Sequence, residues 1–272
     1  MTQLFDAVPT NKLRSLKING GCYIDHSWKL EMVVQHAVSL VSIELNDMEF
    51  TSRTDDKLGI EHLWVYQVLT SCPNLKRLSA TPCSWVASKF KMNHLWVEDL
   101  LAPWTPQQPQ GWVCRGLEEF QVPILGVCRS QEDHYPKEGD CGVEPSGPSQ
   151  HEACVSLQRR LFLELGKLRR LRVFSLGFER LQSDDIQSMG FPDFAYESGH
   201  LQELRSWKQL ETFDVAYTHQ DLSLSDIDWM VEHWPSLRVV KGLDIQPPRD
   251  HSLPREGLEE DIRNKYPSLV VE

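Results

Sequence analysis

Apolar residues recur along this chain in one short phrase, L-x-x-L-x-L, separated by longer polar-rich stretches. Seven segments fit it: Leu13-Leu16-Ile18, Leu40-Ile43-Leu45, Leu75-Leu78-Ala80, Leu117-Phe120-Val122, Leu171-Phe174-Leu176, Leu210-Phe213-Val215 and Leu237-Val240, the last with Gly242 in its third slot. Alternation within each phrase predicts a strand whose second and third apolar positions face a core. Between strands, apolar residues fall at helical spacing over Trp28 to Val38, Ile60 to Leu69, Val155 to Leu165 and Leu201 to Trp207. Strand followed by helix, repeated, predicts an α/β leucine-rich-repeat solenoid with a curved parallel sheet on its concave side and helices on its convex side. The leading leucines stand 27, 35, 42, 54, 39 and 27 residues apart. Only the two end steps match a regular repeat of roughly 20 to 29 residues, so the repeats are irregular and the middle carries insertions.

The stretch from Ser225 to Leu243 shows how one unit is punctuated. Ser225 reads as a helix N-cap with Asp228 three residues on, and Ile227, Met230 and Val231 form an apolar face. Pro235 ends the helix and drives Trp234 into an extended conformation. Cys72-Pro73-Asn74-Leu75 and Tyr266-Pro267-Ser268-Leu269 repeat the same grammar. A unit of this size cannot offset its own ordering entropy with four or five buried side chains, so neighbours must share a core. Residues 1–272 therefore read as one repeat domain. Within it, 102–112 is expected to be a loop, 129–153 a disordered insertion poor in apolar residues, and 258–272 a polar C-terminal cap.

A formal charge of -11 and a pI near 5.4 argue against a nucleic-acid surface, which needs a clustered basic excess. No window is long and apolar enough for a bilayer, and the first residues do not form a secretory signal. Neither nucleic acid nor membrane is therefore an expected partner. Seven cysteines at irregular places suit reduced thiols, and hence cytoplasm or nucleus.

Chemical motifs are sparse. Cys114, Cys128, Cys141 and Cys154 lie 14, 13 and 13 residues apart, without the close ligand pairs of zinc sites. The only short pair is His151-x-x-Cys154, so no metal is expected, and Cys114 reads as core. No nucleophile, phosphate-loop or dinucleotide motif is present, and neither a catalytic role nor a cofactor is expected. The competing reading is a small metal- or thiol-dependent enzyme around His151 and Cys154; a third is a truncated gene product without a maintained role. Arg159, Arg160, Lys167, Arg169, Arg170 and Arg172 form a basic cluster that reads as a solvated surface.

Strand alternation also names the opposite face. Ser15, Lys17 and Asn19; Ser42, Glu44 and Asn46; Arg77, Ser79 and Thr81; Glu119 and Gln121; Val173 and Ser175; Thr212 and Asp214; and Val239 and Lys241 all point out of the sheet. Most are small or polar, and a contiguous face of this kind suits recognition of another protein.

Trp112-Val113-Cys114-Arg115-Gly116-Leu117, the run from Leu161 to Leu176, Leu204-x-x-Trp207-Lys208-x-Leu210-Glu211, and Trp229-Met230-x-x-x-Trp234-Pro235-x-Leu237 followed by Lys241-Gly242-Leu243 are carried here in that order. As a set they resemble the leucine-rich-repeat regions of the large fungal families of F-box proteins, over most of residues 60–245. The resemblance implies the substrate-recognition repeats of a Skp–cullin ubiquitin ligase receptor. Leu4 to Pro9 does not match an F-box opening, so a Skp-type adaptor is expected only if an F-box lies upstream. Reversing charge at Glu44, Glu119 and Asp214 together is expected to weaken capture of a protein partner in a pull-down without unfolding the chain.

Overall fold

The computed structural model describes residues 8–19, 33–48, 63–82, 95–96, 111–122, 124–125, 149–176, 192–195, 200–216, 218, 220, 222–243 and 257–272. Its main feature is an open, all-parallel eight-stranded sheet, assembled in chain order. The strands are β1 (Ser15–Asn19), β2 (Ser42–Met48), β3 (Arg77–Pro82), β5 (Glu119–Gln121), β7 (Val173–Ser175), β8 (Thr212–Asp214), β9 (Val239–Lys241) and β10 (Val270–Val271). A separate parallel pair joins β4 (Leu95–Trp96) to β6 (Ile124–Leu125). All seven strands expected from the leucine phrase form; β4, β6 and β10 are additions.

The turn entering each strand is built the same way in six units. An amide donates to the carbonyl three residues back, from Leu75 to Cys72, Leu117 to Cys114, Leu171 to Leu168, Leu210 to Trp207, Leu237 to Trp234 and Leu269 to Tyr266. Pro73, Pro235 and Pro267 occupy the second turn position, where a fixed φ is favourable. In β10 the strand follows one residue sooner, because Val271 rather than Glu272 is aligned with Val240. That lost residue breaks the L-x-x-L-x-L spacing, which is why residues 258–272 read only as a cap. They form a helix, α4 (Leu258–Lys265), as well as the eighth strand.

From turn to strand a second backbone pattern recurs. The Arg14 carbonyl accepts both the Val41 and Ser42 amides, at 2.8 and 3.1 Å. Val41, Lys76, Glu118, Arg172 and Glu211 carbonyls each take two successive amides of the next strand in the same way. These paired bonds set a common register: Leu16, Ile43, Leu78, Phe120, Phe174, Phe213, Val240 and Val271 form one inward row. Phe120, Phe174 and Phe213 stack along it with centroids 6.0 and 5.8 Å apart.

Helices α1 (Leu63–Ser71), α2 (Ser149–Leu165) and α3 (Leu224–His233) share one buried apolar cluster with that row through Val65, Val68, Leu161, Phe162, Ile227 and Met230. The described part of the expected helix over Trp28 to Val38 is helical at 33–36. α2 begins at Ser149 and so orders residues 149–153, where no order was expected; 129–148 lie outside the described residues, as do 102–110. Leu201–Leu204 is a 3-10 turn rather than the expected longer helix. The next unit's strand-entry turn begins only three residues later, at Trp207, too close for a further α-helical turn.

α3 starts two residues earlier than its sequence suggests. Ser223, not Ser225, is the N-cap, with a reciprocal box in which Asp226 Oδ2 accepts the Ser223 amide at 2.6 Å and Ser223 Oγ accepts the Asp226 amide. Asp228 is thereby released to bind across units. It accepts Lys265 Nζ at 2.7 Å and Tyr266 Oη at 2.6 Å, and these donors lower its pKa.

Adjacent units are also joined through two indoles. Trp207 Nε1 donates to the Leu165 carbonyl and Trp234 Nε1 to the Leu204 carbonyl, both at 2.9 Å. Each ring caps the end of the preceding unit's helix or turn, a more specific role than the helix packing its spacing suggests. Gly242 closes the last outward turn with φ 91°, and a Cβ there would sit 2.5 Å from the Ala216 amide nitrogen.

Two stability measurements test these contacts. Trp234→Phe removes one of the two donors to the Leu204 carbonyl, which keeps the Trp207 amide, and should cost about 0.5 to 1.5 kcal/mol in urea unfolding with the far-UV spectrum unchanged. His36 is fully buried, and neither ring nitrogen has a hydrogen-bond partner among the described residues, so burial lowers its pKa below 6.5. The unfolded chain then takes up a proton that the folded one refuses as pH falls below 6.5. Stability is therefore full above that value and declines beneath it. His36→Leu should flatten the fall in urea midpoint between about pH 7.5 and about pH 5, leaving the part due to His200, whose pKa burial also lowers.

Candidate functional site

Parallel register turns the outward residues into rows that cross the sheet. One row runs Ser15, Ser42, Arg77, Glu119, Val173, Thr212, Val239 and Val270; the next runs Lys17, Glu44, Ser79, Gln121, Ser175, Asp214 and Lys241. Asn19 aligns with Asn46. Thr81 belongs to β3, and the side chains of Asn19 and Thr81 lie outside the described residues. The buried apolar cluster shared by helices and strands lies on the other side. Strand periodicity alone therefore brings the expected site residues to one surface.

Their chemistry differs from a set of free charges. Lys17 Nζ lies 2.6 Å from Glu44, Arg77 Nε 3.2 Å from Glu119, and Lys241 is bonded to Glu272. Ser79 Oγ donates to Gln121 Oε1 at 3.2 Å. Ser175 is buried rather than available at the surface, and its hydroxyl donates to Asp214 Oδ2 at 3.0 Å. Asp214 also accepts the Ala216 amide through Oδ1 at 3.1 Å, which holds the turn after β8. Neighbouring strands stand about 4.8 Å apart, so side chains in one row reach each other more readily than they project singly. The face is largely self-neutralised.

A further row, one residue ahead of the first, was not among the outward positions expected. Lys76 Nζ reaches Glu118 at 2.9 Å, and the Arg172 guanidinium bonds both Glu211 oxygens at 3.0 Å. The bond from Lys76 lowers the Glu118 pKa, and Glu272 raises that of Lys241. The sequence held the signal for this row in the residue after each leading leucine, which is charged in six of the seven phrases, Val41 being the exception.

The thiols of the core are chemically quiet. Cys72 and Cys114 occupy equivalent turn positions in adjacent units, and burial pushes both pKa values to about 12. Such thiols stay protonated at neutral pH and lack the thiolate that nucleophiles and metal ligands require. His151 and Cys154 fall within α2, with side chains outside the described residues; Cys128 and Cys141 lie outside them altogether. No helix among the described residues is long and apolar enough to cross a membrane. No family model matches the chain, and no curated protein matches it.

The pairing alters the expected effect of charge reversal. Glu44 and Glu119 are surface partners whose removal should cost under about 1 kcal/mol each. Asp214→Ala removes an acceptor from the buried Ser175 hydroxyl and from a turn amide and should cost about 1 to 3 kcal/mol. Urea midpoints of Glu44→Ala and Asp214→Ala, measured side by side, should therefore separate clearly. The triple reversal would confound binding with stability.

Proposed function

We propose that this chain is a leucine-rich-repeat recognition module that binds a protein partner on the outward, concave face of its sheet. The observation that carries the reading is the registered double row from Ser15 to Lys241, formed by successive parallel strands whose apolar side is already occupied by helices. A surface built this way extends across many units and suits an extended contact rather than a small-molecule cleft. The module works by binding, with no catalytic residue assigned.

Within that reading, the chain is the substrate-recognition repeat region of an F-box-type receptor of a Skp–cullin ubiquitin ligase, acting in the cytoplasm or nucleus. The ordered set of motifs from Trp112 to Leu243 supports this assignment. A Skp-type adaptor would join only if an F-box is present upstream, while the repeats select the protein to be ubiquitinated.

The face is tested by adding bulk without breaking its ion pairs. Ser42→Tyr/Thr212→Tyr should reduce quantitative recovery of partner proteins by about tenfold or more, with an unchanged melting temperature. Val34→Tyr, at a helix-side residue 56% exposed, should leave recovery unchanged. Loss of recovery with Val34→Tyr alone would place recognition on the wrong side of the sheet.

A further inference from the structure

The basic cluster read from the sequence is divided by the fold. Arg159 and Arg160 lie on α2, whereas Arg169, Arg170 and Arg172 lie at the entry to β7. There they join two cations that are distant in sequence. Three consecutive turn-to-strand stretches, 168–173, 207–212 and 234–239, carry Arg169, Arg170, Arg172, Lys208 and Arg238 against one carboxylate, Glu211. This basic edge belongs to a chain of net charge -11.

Two of the cations have structural duties. Lys208 Nζ donates to the His233 carbonyl at the end of α3, and Arg172 is held by Glu211. Arg169, Arg170 and Arg238 are exposed and have no ion pair among the described residues. Glu211 cannot serve Arg238 equally, because both its oxygens face the Arg172 guanidinium. These three arginines are the uncommitted charges of the edge.

Directly beside them, the character of the outward row changes. Across β1 to β5 it reads Ser15, Ser42, Arg77 and Glu119; across β7 to β10 it reads Val173, Thr212, Val239 and Val270. Val270 is 48% exposed. Four β-branched residues in register make a strip about 14 Å long at about 4.8 Å per strand. An extended peptide of about five residues spans that distance at about 3.3 Å per residue. The strip and the arginines are adjacent because Arg172 precedes Val173 and Arg238 precedes Val239.

We propose that the partner presents an acidic segment with interspersed apolar residues, which lies across β7 to β10 with carboxylates on Arg169, Arg170 and Arg238 and apolar side chains on the Val173, Thr212, Val239 and Val270 strip. Arginine pairs well with carboxylates because its planar donors match both oxygens. A nucleic acid would use the cations but has no need of the aliphatic strip, and the chain's overall negative charge opposes it. The proposal rests on the recognition face described above and names the chemistry that one half of it selects.

Fluorescence anisotropy with labelled dodecamers tests it on the intact chain. The probes are a peptide alternating Glu with Val or Leu, one with Lys in place of Glu, one with Ser in place of the apolar residues, and a single-stranded RNA. The acidic-apolar peptide should bind at least about tenfold more tightly than each of the other three. Arg170→Glu/Arg238→Glu should remove about tenfold or more of that affinity, and Val239→Ser should weaken it. Val34→Tyr, on the helical side, should not change it, and melting temperatures should stay level. Equal binding of the lysine peptide, tighter binding of the RNA, or an affinity unmoved by the arginine variant would overturn the proposal. If those results occur while Ser42→Tyr/Thr212→Tyr still abolishes partner recovery, the recognition face stands and only this ligand class is lost.

Discussion

From β1 to β9, each strand of the main sheet is fixed to the next by a carbonyl that accepts two successive amides, repeated from Arg14 to Glu211. This bifurcated bond decides register, and register decides everything that lies above and below the sheet. Side chains in a strand alternate, so a slip of one residue would exchange the aromatic row at Phe120, Phe174 and Phe213 for the outward row at Glu119, Val173 and Thr212. The apolar side then holds the helices, and the indoles of Trp207 and Trp234 join consecutive units by reaching the preceding unit's carbonyls. Cohesion is mainly a matter between neighbours, as expected when no single unit can bury a core of its own.

The same constraint accounts for the state of the outward face. Parallel strands in common register bring Lys17 to Glu44, Arg77 to Glu119 and Ser175 to Asp214. Such pairs satisfy the face internally, and each contributes little to stability while it remains solvent-exposed. A partner gains most where this pairing runs out. It does so at the edge of β7 to β9, where arginines outnumber carboxylates and the outward row turns aliphatic. The face is therefore paired along its length, with Arg169, Arg170 and Arg238 left over at one edge of it, although pairs and remainder arise from the same strand geometry.

Much of this was legible in the chain itself. The leucine phrase located seven strands and their inward and outward sides, because a period of two is a direct consequence of strand geometry. Pro235 and the bulky residue before it marked a turn that recurs in six units. Other features were hidden for physical reasons. β10 escaped the phrase because its turn and strand are one residue closer together, and the start of α3 was misplaced because Ser223 and Ser225 are equally good caps until Asp226 closes its box with the former. The bond that joins Ser175 to Asp214 links units 39 residues apart. The joining of Arg169 and Arg170 to Arg238 likewise exists only once the sheet is assembled.

The claim that the outward side of the sheet is the recognition surface is reached most directly by site-specific photo-crosslinking. A benzophenone amino acid would be placed at Ser42 or Thr212 on that side and at Val34 or Leu163, 56% and 41% exposed, on the helical side. Covalent capture of a common partner protein from the two outward positions, with none from the helical ones, is the predicted result. Capture of that partner from Val34 or Leu163, with none from Ser42 and Thr212, would contradict the account.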